Sequence, residues 1–247
     1  MKRTAGSIWI VKPPGEMCGN GIRLVTEPED VLDRRLVYVR WTDPSHADVF
    51  YPRQSLTVQR YLSNPLLVNG LKFDLRLYVL LTSIDPIRSD GSLVVKHPCL
   101  HLSCRLYLYE DGLVRFATKP FNTSRSDLGD KFIHLTNYAV NKDNETFQQN
   151  TDPAQFQGHK WSLRTFRKYL ETAGCNWSAL WEKIKKIVVK TIICAHSEVL
   201  DSFNQHSLSS YNCYKLFGID ILIDDKLKPW LLELNNYPSL CQAPLDR

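Results

Sequence analysis

The sequence predicts an α+β fold. Strand-like stretches lie at both ends of the chain, two amphipathic helical segments sit between them, and Gly, Pro and Asp turns separate the pieces. Residues 7–14, "SIWIVKPP", read as a short strand stopped by two prolines, and residues 15–25, "GEMCGNGIRLV", as a Gly-rich turn entering a second strand. Residues 27–40 have partly helical character, and 41–55 read as a loop. Residues 56–65, "LTVQRYLSNP", give a strand running into a connector. "LKFDLRLYVLLTS", 71–83, is a long strand, followed by a turn at Asp85-Pro86 and a polar segment through Arg105. In 106–118, "LYLYEDGLVRFAT", the Asp111-Gly112 pair predicts a hairpin turn. "FIHLTNYAV", 132–140, reads as a short ordered stretch.

The helices follow. Residues 162–172 place Leu163, Phe166 and Leu170 at helical spacing and stop near Gly174. Residues 177 to about 200 do the same with Leu180, Trp181, Ile184, Ile187, Val188 and Ile192, leaving Lys183, Lys185 and Lys186 to solvent. Residues 214–235, "YKLFGIDILIDDKLKPWLLELN", read as two strands around a turn at 224–228.

Composition narrows the function classes. At 247 residues, 43% hydrophobic and 23% charged, the chain suits one large domain or two lobes. Its most apolar helical run, 187–195, is interrupted by Lys190, so no membrane span is expected, and the N-terminal apolar run is too short for a signal peptide. Seven cysteines without a CxxC pair suit reduced thiols in the cytosol. His97, Cys99, His101 and Cys104 cluster in "KHPCLHLSC", but the spacing matches no standard zinc finger, and a Cys/His-rich strand or loop is the preferred reading. The net charge of +5 suits an acidic partner, while scattered lysines without a basic-aromatic stripe argue against nucleic acid.

Chemistry concentrates in two places. With period two, Lys72, Asp74, Arg76 and Tyr78 share one face of their strand, opposite Phe73, Leu75, Leu77 and Val79. Such alternation suits either a solvated face or a cleft that binds polyphosphate. Near the C-terminus, Glu233 and Asn235 share a face within an otherwise apolar strand, and folding the hairpin brings Asp220 opposite Glu233 to within about one residue of register. Two carboxylates and an amide are hard oxygen donors of the kind magnesium prefers, completed in many sites by nucleotide phosphates. The alternative is a buried polar pair satisfied by Lys or Arg. A Gly19-Asn20-Gly21 turn after Lys12 adds a loop compatible with a nucleotide, although no Walker motif is present.

Taken together, "WIVKP", "GNGI", "VQRYL", "KFDLRLYVL", "LYEDGLVRF", "KFIHLTNYAVNK", "GHKWSL", "LFGIDILID" and "KPWLLELNNYPSL" resemble, in order and along nearly the whole chain, the serial motifs of the tubulin tyrosine ligase-like enzymes. "LWEKIKKIVVKTII" and "PSL…PLD" most resemble the polyglutamylases that start side chains on glutamates. The resemblance implies an ATP-grasp fold holding ATP between two lobes, with residues 1–62 as part of the central lobe, 63–247 as the C-terminal lobe, and the N-terminal lobe of the family missing. It implies ATP phosphates on Lys12 and Lys72, an adenine hinge of Gln59, Arg60, Tyr61 and Leu62, and further nucleotide contacts from Asp74, Thr136 and Asn137. Magnesium falls to Asp220, Glu233 and Asn235; free L-glutamate falls to Arg115, Tyr138 and Lys160. The implied reaction is ATP-dependent addition of glutamate to glutamate side chains of the acidic C-terminal tail of alpha- or beta-tubulin, through an acyl phosphate. Glu233 sits at its centre, and Arg76 or Arg115 is available for the oxyanion. A monomer, in the cytoplasm on microtubules or at a cilium or basal body, is expected. A catalytically inactive nucleotide- or tubulin-binding relative, and an ATP-grasp ligase using another amino acid or substrate, are the alternative expectations.

The sequence departs from the family pattern in several places. Asn20 stands where a basic residue is common, and Ala139 where a serine is. Residues 26–55 are longer than usual, 89–105 look inserted, and Asn236 matches no familiar type.

Overall fold

The structure is a computed structural model that describes residues 7–16, 18–27, 56–83, 93–97, 102–150, 155–206 and 214–240. The expected partial helix at 27–40, the loop at 41–55 and the Asp85-Pro86 turn lie outside or largely outside these residues, as do Cys99 and His101 of the Cys/His run.

Two sheets organise the fold. The smaller has β1 (Trp9–Lys12) at its centre, with β2 (Arg23–Val25) and β3 (Thr57–Arg60) antiparallel on either side. The larger runs β10-β9-β5-β7-β6, built from β5 (Leu71–Ser83), β6 (Leu93–His97), β7 (Leu102–Phe116), β9 (Lys215–Ile223) and β10 (Pro229–Asn235). Short strands β4 (Leu67–Val68) and β8 (Lys160–Ser162) pair with β5 and β7. Helices α1 (Lys131–His134), α2 (Tyr138–Asn141), α3 (Leu163–Thr172) and α4 (Trp177–His206) complete the described elements.

The long strand β5 spans the residues its alternation predicts; β9 and β7 pair with its two edges, and most of its residues are buried on both faces. Phe73, Leu75, Leu77 and Val79 are fully enclosed and belong to the main core with Phe116, Trp161, Phe166, Ile184, Ile219 and Ile221. Aromatic packing knits that core: the Phe73 and Phe166 rings stand 4.9 Å apart, and Phe116 and Trp161 4.8 Å. Helix α3 starts where Ser162 accepts a hydrogen bond from Thr165 N at 3.0 Å, and it buries the predicted Leu163, Phe166 and Leu170. Among the described residues, no helix is long and apolar enough to cross a membrane.

Three expectations are corrected. Asp111-Gly112 is not a hairpin turn but lies inside the single strand β7, where Gly112 pairs with Leu77 beside a register irregularity. A Cβ on Gly112 would stand 2.6 Å from the Arg76 carbonyl oxygen, so the glycine serves close strand approach. The polar segment through Arg105 contains β6 and the start of β7, which pair antiparallel from Leu93↔Leu106 to His97↔Leu102. Finally, the strand read as otherwise apolar, β10, is an edge strand that is not wholly buried: Trp230 and Leu231 are 40% and 44% exposed, and Leu234 packs against the core.

Candidate active site

Strand register builds the floor of the site. Asp74 on β5 lies opposite Arg115 on β7, Arg76 on β5 opposite Asp220 on β9, and Asp220 opposite Glu233 on β10. Directly opposed residues share a face, so one surface of four neighbouring strands carries three carboxylates and two guanidiniums. The β9–β10 alignment needs a bulge. Leu231 faces Ile221 and Glu233 faces Asp220, with Leu232 as the extra residue between them. Without it, continued alternation would turn Glu233 toward the core.

The charges form a continuous lattice. Arg115 donates to Asp74 through Nε (2.7 Å) and Nη2 (2.6 Å), and Nη2 also reaches Asp220 Oδ2 at 2.7 Å. Arg76 grips Asp220 with Nε on Oδ1 and Nη2 on Oδ2, the latter at 2.8 Å. Thr136 adds a hydroxyl to Asp74 Oδ2 at 2.7 Å. Burial opposes ionisation of both Asp220 and Arg115, yet Arg76 and Arg115 hold the Asp220 carboxyl below its ordinary value. Asp74 and Asp220 in turn hold Arg115 above its ordinary value. Glu233 is the odd member: its side chain is 49% exposed, its nearest guanidinium nitrogen is 3.9 Å away, and Asn235 donates to it at 3.1 Å. Partial burial and neighbouring Asp220 push its carboxyl up.

That inventory tests a divalent cation. Two guanidiniums against three carboxylates leave one excess negative charge when Glu233 ionises. Glu233, pushed up by partial burial and by Asp220, is the group that a bound metal would bring back down. Asp220 engages three donors, within the roughly four acceptor directions of a carboxylate. The donor set of Asp220, Glu233 and Asn235 is therefore chemically fit for a hard cation. Among the described residues no group of three His, Cys, Asp or Glu side chains forms a ready metal cluster.

Lys72 stands beside this floor and is 6% exposed. It donates to the Tyr61 hydroxyl at 3.1 Å and to the His134 carbonyl at 2.6 Å. Burial lowers its ammonium to about 8, against the upward pull of Asp74. Lys12 and Ile10 of the small sheet, with the preceding Ile8, join these floor residues in lining a cleft of about 660 Å³. Gln59, Arg60, Tyr61 and Leu62 line one end, where β3 passes toward the large sheet. Leu135, Thr136 and Asn137 line another edge, joined by Trp230, Leu231 and Leu232 from β10. Largely apolar walls with a few convergent charges suit a flat ring attached to an anionic chain.

The cleft thus gathers Lys12, Gln59, Arg60, Tyr61, Leu62, Lys72, Asp74, Arg115, Thr136, Asn137, Asp220 and Glu233. Arg76 holds Asp220 without lining the cleft, and Asn235 reaches it through Glu233. Tyr138 and Lys160 also stand outside the lining. Lys160 is opposite Arg115 in register, with its ammonium 5.2 Å from the Tyr138 ring centroid. Burial, then Arg115, lowers Lys160. The Gly-rich turn takes left-handed backbone at Cys18 (φ 61°), Gly19 (φ 85°) and Gly21 (φ 66°), and a Cβ on Gly19 would meet Asn137 Oδ1 at 3.1 Å.

Two buried residues of the site escape sequence reasoning. Asn141, 1% exposed, donates to Leu135 O and Asn137 O and accepts from Thr118 N and Oγ1, fixing the Leu135–Asn137 edge. His134, 2% exposed, contacts Lys72 and Tyr61. The signal is a polar residue buried in each of two one-turn helices, which periodicity over four residues does not reveal.

With this geometry established, the comparisons are specific. The model of the tubulin-tyrosine ligase family matches residues 1–89 and 101–246, passing over part of the stretch that looks inserted. Human tubulin monoglutamylase TTLL4 is 43% identical over 239 residues, covering 96% of this chain and 17% of that protein. Mouse tubulin polyglutamylase TTLL5 is 36% identical over 240 residues (96% and 15%). A probable beta-tubulin polyglutamylase of Tetrahymena thermophila is 36% identical over 250 residues (99% and 18%). The chain spans about a sixth of the length of these curated relatives. A match over nearly all of its residues establishes that the chain belongs to the tubulin-tyrosine ligase family.

Proposed function

We propose that this chain carries the catalytic site of an ATP-dependent protein–glutamate ligase that adds glutamate through an isopeptide bond to glutamate side chains of tubulin tails. The observation that carries the reading is the lattice Arg115–Asp74–Asp220–Arg76, with Glu233 beside it, facing a partly apolar cleft together with Lys72. The glutamylases among its relatives supply the substrate class.

In this proposal the two sheets are the lobes of an ATP-grasp fold. Gln59, Arg60, Tyr61 and Leu62 hold the adenine, Asp74, Thr136 and Asn137 complete the nucleotide site, and Lys12 and Lys72 face the phosphates. Magnesium would be held by Asp220, Glu233 and Asn235, and when bound it offsets charge on the phosphoryl group in transfer. A γ-carboxylate of the acceptor takes the terminal phosphoryl group, giving an acyl phosphate and ADP. The amine of free L-glutamate, oriented by Arg115, Tyr138 and Lys160, attacks the acyl carbon. Phosphate leaves and the amine loses its proton. Arg115 faces the cleft as a fully charged guanidinium and supplies positive charge to the tetrahedral oxyanion, while Arg76 holds Asp220 in place. A location on cytoplasmic microtubules follows from the acceptor.

ADP release measured with ATP, magnesium and combinations of the two co-substrates tests this order of events. Release that requires both tubulin and glutamate supports ligation, and no stimulation by either contradicts it. Preference for glycine or tyrosine over glutamate keeps a ligase and overturns the assigned amino acid.

A further inference from the structure

We infer that His134 is a positioning residue: as the neutral Nε2–H tautomer it fixes the Tyr61 hydroxyl, and through that hydroxyl the Lys72 ammonium facing the nucleotide site. This rests on the nucleotide reading of the cleft, but its geometry stands independently.

The protons can be placed by exclusion. His134 Nε2 lies 3.1 Å from the Asp127 carbonyl oxygen, which can only accept, so Nε2 carries the hydrogen. In the neutral ring Nδ1 then bears the lone pair. The Tyr61 hydroxyl 3.0 Å away must be its donor, which leaves the Tyr61 oxygen to accept from Lys72 at 3.1 Å. The result is a directed chain from Lys72 to Tyr61 to His134 to Asp127. His134 also takes Lys72 directly through its carbonyl at 2.6 Å, so one residue orients the ammonium by two routes. These bonds occupy two of the three ammonium hydrogens and leave a third for a phosphate oxygen.

The chain also crosses between the sheets. Tyr61 donates its backbone N–H to the carbonyl of Ile8, the residue just before β1, at 2.9 Å, whereas Lys72 belongs to β5 and His134 closes α1. Edge-on packing of the Tyr61 and His134 rings, with centroids 5.6 Å apart, and the Lys72 ammonium 4.7 Å from the Tyr61 ring hold the three in one arrangement.

Protonation would break it. A hydrogen on Nδ1 forces the Tyr61 hydroxyl to turn away and places a second cation next to Lys72. The groups facing His134 are Tyr61, Lys72, Asp127 and Asp130, with the Phe121 ring at its edge. Burial and Lys72 lower its imidazolium and outweigh the upward pull of the Asp127 carbonyl, Asp130 and the Asp127 side chain, so the ring is neutral at pH 7.

Nitrogen-15 NMR of the full chain labelled at histidine tests the inference, with the His134 signal identified by its loss in His134→Asn. The expected spectrum shows a neutral ring protonated at Nε2 at pH 7. An Nδ1–H or cationic ring overturns the proposal. Calorimetric titration with ATP and magnesium adds the second readout. Tyr61→Phe and His134→Ala should each weaken binding about tenfold, and the double variant no further, because both break one hydrogen-bond chain. His134→Asn, whose Oδ1 can replace the Nδ1 acceptor, should recover most of that loss and lose less affinity toward acid pH than the unsubstituted chain does. Additive losses, or an acid decline as steep in His134→Asn as in the unsubstituted chain, would contradict the relay. If the unsubstituted chain binds no ATP, the ligase reading fails, and the tautomer spectrum alone decides the role of His134.

Discussion

Lys72 carries its charge under protest: its ammonium, lowered to about 8 by burial, titrates well below an unfolded lysine. Between about pH 8 and 10.5 the unfolded chain binds more protons than the folded one, so this group makes stability rise with pH across that window. Nucleotide affinity should fall over the same range, because phosphate needs the charged form. Lys72→Met should remove both slopes, gain up to about 3 kcal/mol of stability at pH 7, and lose nucleotide binding. Denaturant titration and calorimetry against pH check the pair. Arg115 behaves in the opposite way, since Asp74 and Asp220 both depend on it. Arg115→Ala leaves two carboxylates without their shared cation and should cost about 3–5 kcal/mol, read from the denaturation midpoint. The alternating charges of 72–78 were legible because a strand has period two. Their partners were not, because Asp74 meets Arg115 and Arg76 meets Asp220 only through registers set far along the chain. The role of His134 was equally hidden, since its neighbours Tyr61 and Lys72 lie on other elements.

Among the elements, β5, the helices α3 and α4 and the β9–β10 hairpin were readable from hydrophobic period and turn residues, and all appear in the fold. The Asp-Gly signal of β7 misled because local turn chemistry also suits a strand irregularity. Asp111 Oδ1 accepts from Gly112 N at 2.8 Å and from Arg164 N at 3.2 Å, and both neighbouring segments continue the ladder. One glycine packed under neighbouring side chains carries a testable consequence. A Cβ on Gly218 would meet Pro238 Cβ at 2.8 Å and Arg76 Cδ at 3.2 Å. Gly218→Ala should therefore displace Arg76 from Asp220 and loosen the segment after β10, which Tyr78 holds by donating to the Ser239 carbonyl at 3.1 Å. The expected outcome is faster proteolysis near residues 236–240 and a loss of about 1–3 kcal/mol, with the core helices still protected. Unchanged proteolysis would mean that Pro238 does not pack there in solution.

At the scale of the whole molecule, the larger sheet supplies the charge lattice, the smaller sheet contributes to the lining of the same cleft, and hydrogen bonds link Tyr61, Lys72 and His134 beside it. A divalent cation that binds the folded arrangement in preference to the unfolded chain should therefore stabilise it, by an amount that rises with the logarithm of its concentration once the site is filled. Glu233→Gln should reduce that gain, which thermal unfolding with and without magnesium would show. The most direct test of the central claim is tandem mass spectrometry of tubulin incubated with this chain, ATP, magnesium and isotopically labelled L-glutamate. The account predicts labelled glutamate in isopeptide linkage on glutamate side chains of the tail, lost with Glu233→Gln or when ATP is omitted. Absence of labelled product from a folded chain that binds ATP would contradict it.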